Sequence, residues 1–224
     1  MVYGRRFNWI EELTVDVTDS EREQIESLKH WWKTYGKAIV VGAFLGLVAL
    51  IGYQQWTAYT KSMGETASME YELLMQAQAQ GDDQSVRDRG ARLVENYKGT
   101  PYANLAALAL AKVHVDAGEY AAAKGYLRQV LDTPGLAPLE HVARLRLARL
   151  MLVEGDATGA LSLLQAAQPG SFKGLYDELI GDSHVAMDNP DMARHAYEQA
   201  LAAEHHADTA TLEMKLDELG GAES

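Results

Sequence analysis

Cysteine is absent from this chain of 224 residues. Its absence excludes disulfides, a thiol nucleophile and thiolate metal ligands, while being compatible with any compartment. Other chemical signatures are missing too. No H-E-x-x-H, G-x-x-x-x-G-K-[ST] or G-x-S-x-G occurs, so zinc-protease, nucleotide-phosphate and nucleophile-elbow readings have no anchor. Ser171-Phe172-Lys173-Gly174 reads as a loop between helices and not as a catalytic Ser–Lys pair. Basic residues are also scarce over most of the chain. Residues 62–224 hold 25 acidic against 13 basic side chains and carry the whole net charge of −12. A field of that sign repels nucleic acid and anionic headgroups. It serves solubility or, as an alternative, attracts basic or unfolded clients. The chain is expected to be no enzyme, with no cofactor, no metal and no nucleic-acid partner.

One further absence is informative in itself. Between Lys37 and Lys61 lie 23 residues without a formal charge, 38–60, of which AIVVGAFLGLVALIGY comes first. At about 1.5 Å per residue this stretch crosses a hydrocarbon core of roughly 30 Å. Trp31, Trp32 and Tyr35 on one side and Tyr53, Trp56 and Tyr59 on the other supply the aromatic girdles of a span. Lys29, Lys33 and Lys37 place the N-terminal flank in the cytoplasm by the positive-inside rule. A cleaved signal would start earlier and end in small residues, so a retained anchor in the bilayer is expected. Gly42 and Gly46 form a G-x-x-x-G, with Gly52 further along, where another helix could pack closely. Before the span, Asp19 or Ser20 is expected to cap an amphipathic helix, with Ser20-x-x-Glu23 as a capping box and Ile25, Leu28, Trp31, Trp32 and Tyr35 on its apolar face. The expected organisation is a tail at 1–18, a juxtamembrane helix at 19–37, a transmembrane helix at 38–60 and a repeat domain at 61–221. Residues 1–18 show no clear periodicity.

Beyond Lys61 the chain repeats itself. Three turn signals recur: Asp116-Ala117-Gly118-Glu119-Tyr120, Val153-Glu154-Gly155-Asp156-Ala157 and Met187-Asp188-Asn189-Pro190-Asp191. A weaker fourth is Gln80-Gly81-Asp82-Asp83. After each strong turn come an alanine, a large residue four on and a small apolar one three further: Ala123, Leu127, Val130; Ala160, Leu164, Ala167; Ala193, Tyr197, Ala200. Before each turn stands an apolar–small pair, Leu110-Ala111, Leu147-Ala148 or Ile180-Gly181. The alanines are 37 and 33 residues apart, close to the 34-residue period of tetratricopeptide repeats. The small residues are expected where the helices of a pair approach, the large ones between pairs. The first pair, about 65–97, is degenerate, with Val86, Gly90 and Leu93 at the three positions, and Gly99-Thr100-Pro101 then stops and restarts the helix. Residues 207–219 place Leu212, Leu216 and Leu219 on one face, as a capping helix requires. The fold class is therefore all-α, a single transmembrane helix followed by an α-solenoid of eight or nine tetratricopeptide-like helices with a concave binding face.

Histidine is the residue type most suited to a metal site in a chain without cysteine. His114 and His184 share a repeat position two pairs apart, which favours core or groove-lining roles. His205 and His206 diverge by about 100° on a helix, with Glu204 beside them, and His195 is expected on an exposed face. A metal enzyme would need His114, His184 and a carboxylate to converge within about 4 Å.

Together these features resemble the YfgM family, the ancillary subunit of the SecYEG translocon in Gram-negative inner membranes. The resemblance spans about residues 19–219. It rests on Gly36-Lys37 leading into AIVVGAFLGLVALIGYQQW, on the basic aromatic ESLKHWWKTYGK before it, and on Tyr102-Ala103-x-Leu105-Ala106. LRLARL at 145–150 and Glu213-Met214-Lys215-Leu216-Asp217-Glu218-Leu219 add to it, while residues 1–17 extend beyond the family's pattern. The resemblance implies a cytoplasmic N-terminus and a periplasmic repeat domain beside the SecYEG channel. It also implies a partnership with the membrane-anchored chaperone PpiD and contact with emerging, unfolded polypeptide, and it brings no catalytic residue. A repeat adaptor for another envelope machine (outer-membrane assembly, cell division or cytochrome maturation) would share the fold. Against it stand the missing lipobox cysteine and the single span.

Overall fold

The computed structural model describes residues 9–133, 136–203 and 209–221, with side chains from residue 24 onward. The elements are α1 (Trp9–Ala79), α2 (Asp83–Asn96), α3 (Pro101–Asp116), α4 (Tyr120–Asp132), α5 (Ala137–Val153), α6 (Ala157–Gln165), a 3-10 turn (Gly170–Phe172), α7 (Lys173–Ala186), α8 (Pro190–Leu201) and α9 (Thr209–Gly221). Among the described residues there is no strand. The chain divides into two compact units, Met1–Thr60 and Lys61–Ser224.

The first unit corrects one expectation. α1 starts at Trp9 and runs unbroken past Asp19 and Ser20, so no helix begins there. The backbone can do this because 9–79 holds no proline and its glycines are single. The side chains of Asp19, Ser20 and Glu23 lie outside the described residues, as do residues 1–8 of the expected tail. From Gln24 on, α1 is long and apolar enough to cross a membrane, with a mean hydropathy of 1.9 in its most apolar window and 6 % of that window buried. Phe44, Leu45, Val48 and Ile51 are exposed within it, as a lipid-facing surface requires. Gly42, Gly46 and Gly52 have open space where a side chain would stand.

In the second unit all four turns use one device. The residue after the helix takes a left-handed conformation, at Gly81, Gly118, Gly155 and Asp188 with φ of 69, 74, 84 and 58°. The next N–H then reaches back five residues to the last helical turn. Asp82 donates to the Ala77 carbonyl at 3.0 Å, Glu119 to His114 at 2.8 Å, Asp156 to Met151 at 2.8 Å and Asn189 to His184 at 3.0 Å. This Schellman geometry satisfies carbonyls that the helix end leaves orphaned. The signal at Gly81 is thus the structural equal of the other three. Starts are marked as clearly. Asp82, Thr100 and Asp156 accept the N–H of Ser85, Ala103 and Gly159 at 3.0, 3.3 and 2.9 Å, and Pro101, Pro138 and Pro190 occupy first-turn positions.

The core follows the repeat. Ala123, Leu127 and Val130, then Ala160 and Leu164, then Ala193, Tyr197 and Ala200 are buried. Ala167 is only half-buried, because α6 stops at Gln165 ahead of Pro169. Leu110, Ala111, Leu147, Ala148 and Gly181 are buried, and Ile180 is half-buried. Gly181 shows what the small position is for: a Cβ there would lie 2.3 Å from the Tyr197 ring. Tyr197 of α8 therefore fills the room that Gly181 of α7 leaves, within one pair. In the first pair the sizes are exchanged. Leu74 stands at the register of Ala111, Ala148 and Gly181, and Gly90 at that of Leu127, Leu164 and Tyr197. A Cβ on Gly90 would meet Leu110 at 2.7 Å, so the glycine lets α3 approach α2. The buried side chains form successive clusters, 67–150, 145–179 and 193–212, passed from pair to pair as in a solenoid. Each fully buried leucine contributes about 1.5–3 kcal/mol.

Candidate functional site

The residues that define the repeat are core residues and carry no chemistry. What the stack exposes is a cleft of about 350 Å³ between successive pairs. Ala111, Lys112 and Val115 on α3, Leu127 on α4, and Arg146, Arg149, Leu150 and Val153 on α5 line it. Its floor, Ala111, Leu127 and Leu150, is buried, while Val115 is 37 % and Val153 68 % exposed. Three cations stand on its walls and no carboxylate does. Arg146 and Arg149, three residues apart, share one face of α5. The Arg146 guanidinium donates to the Leu108 carbonyl of α3 at 3.3 Å, which draws it across the cleft. Lys112 pairs with Asp116 at 2.6 Å, but both are more than half exposed, and such pairs contribute little. The neighbouring carboxylate Glu154 is paired with Lys124 of α4 at 2.6 Å.

Of the residues singled out in the sequence, Ala111 and Leu127 of the repeat positions, Val153 of a turn signal, and Arg146, Arg149 and Leu150 of the LRLARL run line this cleft. Gly118, Gly155 and the turn partner Tyr120 shape the connections; the others fill the core. The rim of Lys112, Arg146 and Arg149 carried no sequence signal beyond the LRLARL run, because the domain's acidic sum conceals it.

A second cleft repeats the first at the far end of the stack. Asp182 and Val185 of α7, Tyr197 of α8, and Lys215, Glu218 and Leu219 of α9 line it. Counted from the left-handed turn residue, Lys112, Val115 and Leu127 stand at the register of Asp182, Val185 and Tyr197. Here the charges are met from within the chain. Lys215 reaches Glu178 at 2.8 Å and Asp182 at 2.7 Å, and the Tyr197 hydroxyl donates to Asp182 at 2.8 Å. Burial alone would lower the Lys215 pKa, but the hydrogen bonds to Asp182 and Glu178 outweigh it and hold it above the ordinary lysine value. Burial, then the Asp182 charge, push the Tyr197 phenol far up.

The histidines take structural positions. The His114 ring stacks on Tyr126 with centroids 5.3 Å apart, and its Nδ1 lies 3.0 Å from the Arg87 guanidinium and beside the Glu119 carboxylate. Hydrogen bonds from Arg87, then His114, hold the Glu119 carboxyl below the usual range. His184 is buried at the matching site on α7, and His195 is exposed, its Nε2 2.8 Å from the Gln199 amide. His141, overlooked in the sequence, stacks on Phe172 and lies 2.8 Å from the Tyr176 hydroxyl. Among the described residues no group of three or more histidines and carboxylates could hold a metal ion. Glu204, His205 and His206 lie outside them, as does the expected helix start at Ala207.

The stacked helix pairs and their shared turn define a tetratricopeptide-type protein. The profile of the tetratricopeptide repeat-like domain family matches residues 29–221. A solved structure of MamA, residue 41 to the end, from Desulfovibrio magneticus RS-1 has the same fold, with a TM-score of 0.52 and 16 % identity over 71 % of this chain and 98 % of that one. Among curated proteins, the ancillary SecYEG translocon subunit of Haemophilus influenzae is 30 % identical, covering 89 % of this chain and 97 % of that protein. The Escherichia coli K12 protein of that name is also 30 % identical, over 85 % of this chain and 91 % of that one. The chain belongs to the ancillary SecYEG translocon subunit family.

Proposed function

We propose that this protein is a single-pass subunit of the inner membrane that sits beside the SecYEG channel and presents its repeat domain to the periplasm. Residues 61–221 would lie outside the cytoplasmic membrane and residues 1–18 within the cytoplasm. Similarity to translocon subunits along nearly the whole chain, with an apolar span in the first third, is the observation that carries this reading. The lysines at 29, 33 and 37 support the orientation. The span docks on translocon or partner helices through the open surface at Gly42, Gly46 and Gly52. The cleft between α3 and α5 receives a segment of the chaperone PpiD or of the emerging polypeptide, and the subunit hands secreted chains onward. No bond is made or broken in this role, so binding energy and position are all the protein supplies.

Photo-crosslinkers placed at Leu45 and at Val153 in native membranes test it. Leu45 is expected to capture SecYEG subunits, and Val153 to capture PpiD or a nascent secreted chain. Recovery of neither, or a C-terminal portion that resists protease added to intact spheroplasts, overturns the proposal.

A further inference from the structure

The two equivalent clefts differ in one respect that identifies what the open one accepts. The cleft at α7 presents carboxylates, Asp182 with Glu178 beside it, and α9 brings a cation, Lys215, whose ammonium lies 5.5 Å from the Tyr197 ring centroid. An apolar side chain of the same helix, Leu219, lines the cleft with it. The open cleft presents the opposite charge at the same register. Lys112 replaces Asp182, and the facing helix adds Arg146 and Arg149. Arg149 has no hydrogen bond or ion pair among the described residues, and Val153 beside it is 68 % exposed.

We propose that the cleft between α3 and α5 binds an acidic segment that carries a large apolar side chain, the apolar group seated on Ala111, Leu127 and Leu150 and its carboxylates paired with Arg149 and Arg146. This rests on the reading of the cleft as a partner-binding surface and adds the chemistry of the partner. The sign runs against the domain's net charge, which by itself favours basic clients. Local charge decides, because ionic screening confines surface fields to about 8 Å at physiological salt, whereas the arginines meet the ligand at contact. Arginine suits the task, since its planar fork takes a carboxylate through two parallel hydrogen bonds. The chain's own α9 shows that a cleft of this register accepts charged side chains, Lys215 and Glu218, together with an apolar one, Leu219, from a helical segment.

The full chain in phosphatidylcholine nanodiscs is titrated with labelled peptides bearing two leucines flanked by glutamates, and with the lysine and serine counterparts. The glutamate peptide is expected to bind at least roughly tenfold tighter than the lysine one and to weaken as salt is raised. Val153→Asp is expected to lose it. The pair Arg146→Glu/Arg149→Glu is expected to invert the preference, and Lys98→Glu/Lys124→Glu, the same charge change outside the lining of the cleft, to leave it in place. Arg149→Gln is the milder variant should the pair fail to fold by circular dichroism; it is expected to weaken the glutamate peptide alone. Equal or tighter binding of the lysine peptide, or an equal effect of Lys98→Glu/Lys124→Glu, overturns the inference and leaves the cleft as a binding surface. If no peptide binds and crosslinking from Val153 also captures nothing, the reading of the cleft fails with it.

Discussion

The cleft between α3 and α5 and the cleft between α7 and α9 are built on the same register, yet the only charged side chains lining the first are cations, while the second is lined by the carboxylates Asp182 and Glu218 together with Lys215. The difference comes from what the chain itself supplies. At the C-terminal end α9 follows and delivers Lys215 to Glu178 and Asp182, so the charges are consumed. In the middle of the stack α5 faces α3 with like charges, and among the described residues no carboxylate lines the cleft. A solenoid makes a cleft at each repeat junction; whether that cleft is structure or site depends on the counter-charge.

The comparison can be broken most severely at Gly181. A valine there would enter the Tyr197 ring, and Gly181→Val is expected to cost about 3 kcal/mol in urea unfolding. At the matching register Ala111 already carries a Cβ, because the smaller Leu127 stands where Tyr197 does. Second in size is Lys215→Ala. It removes the ammonium from two half-buried carboxylates, Asp182 keeping the Tyr197 hydroxyl, and is expected to lower stability by about 1–2 kcal/mol, less than for a fully buried pair. The same variant turns the closed cleft into an acidic open one, so the full chain should then gain affinity for the lysine peptide; no gain would show that the register alone does not make a site. Third is Asp188→Gly, which removes the side chain from a left-handed turn with φ of 58° and is expected to stabilise by up to about 1 kcal/mol, bringing that turn level with those at Gly118 and Gly155.

The response to pH is the smallest effect and differs between the two ends. Lys215 has its folded pKa raised, so its contribution is whole below the unfolded value of about 10.4 and is lost as pH rises through the folded one. Tyr197, also raised, acts in the same direction. Alkali should therefore loosen α9 first, seen as early amide exchange in 209–221. Glu119 has its folded pKa lowered. Its contribution is present above the unfolded value of about 4.3 and fades as pH falls through the folded one, so acid should act at the α2–α3 end.

Much of this architecture was legible because it is local. Turn glycines, caps and alanine spacing each act within a few residues, and they located the helix pairs. The span was legible because an uncharged run of its length has few other uses. The start of α1 was misread for the same reason that local signals are useful. Ser20-x-x-Glu23 has the composition of a cap, but the surrounding helix continues through it, and nothing within that window says so. The large residues line the clefts between pairs, as Leu127 and Tyr197 do, but Tyr197 also packs against Gly181 inside its own pair, which spacing alone does not show.

The order of residues alone determined a membrane-length apolar helix, a train of paired helices and a negative sum of charge, because hydropathy, turn chemistry and charge count are properties of short windows. Tertiary structure alone decided that Lys112, Arg146 and Arg149 meet over one apolar floor and that Lys215 closes the corresponding place on α7. Residues more than thirty positions apart become neighbours only when pairs stack. Their charges act through distance in space, where a net sum along the chain has no meaning.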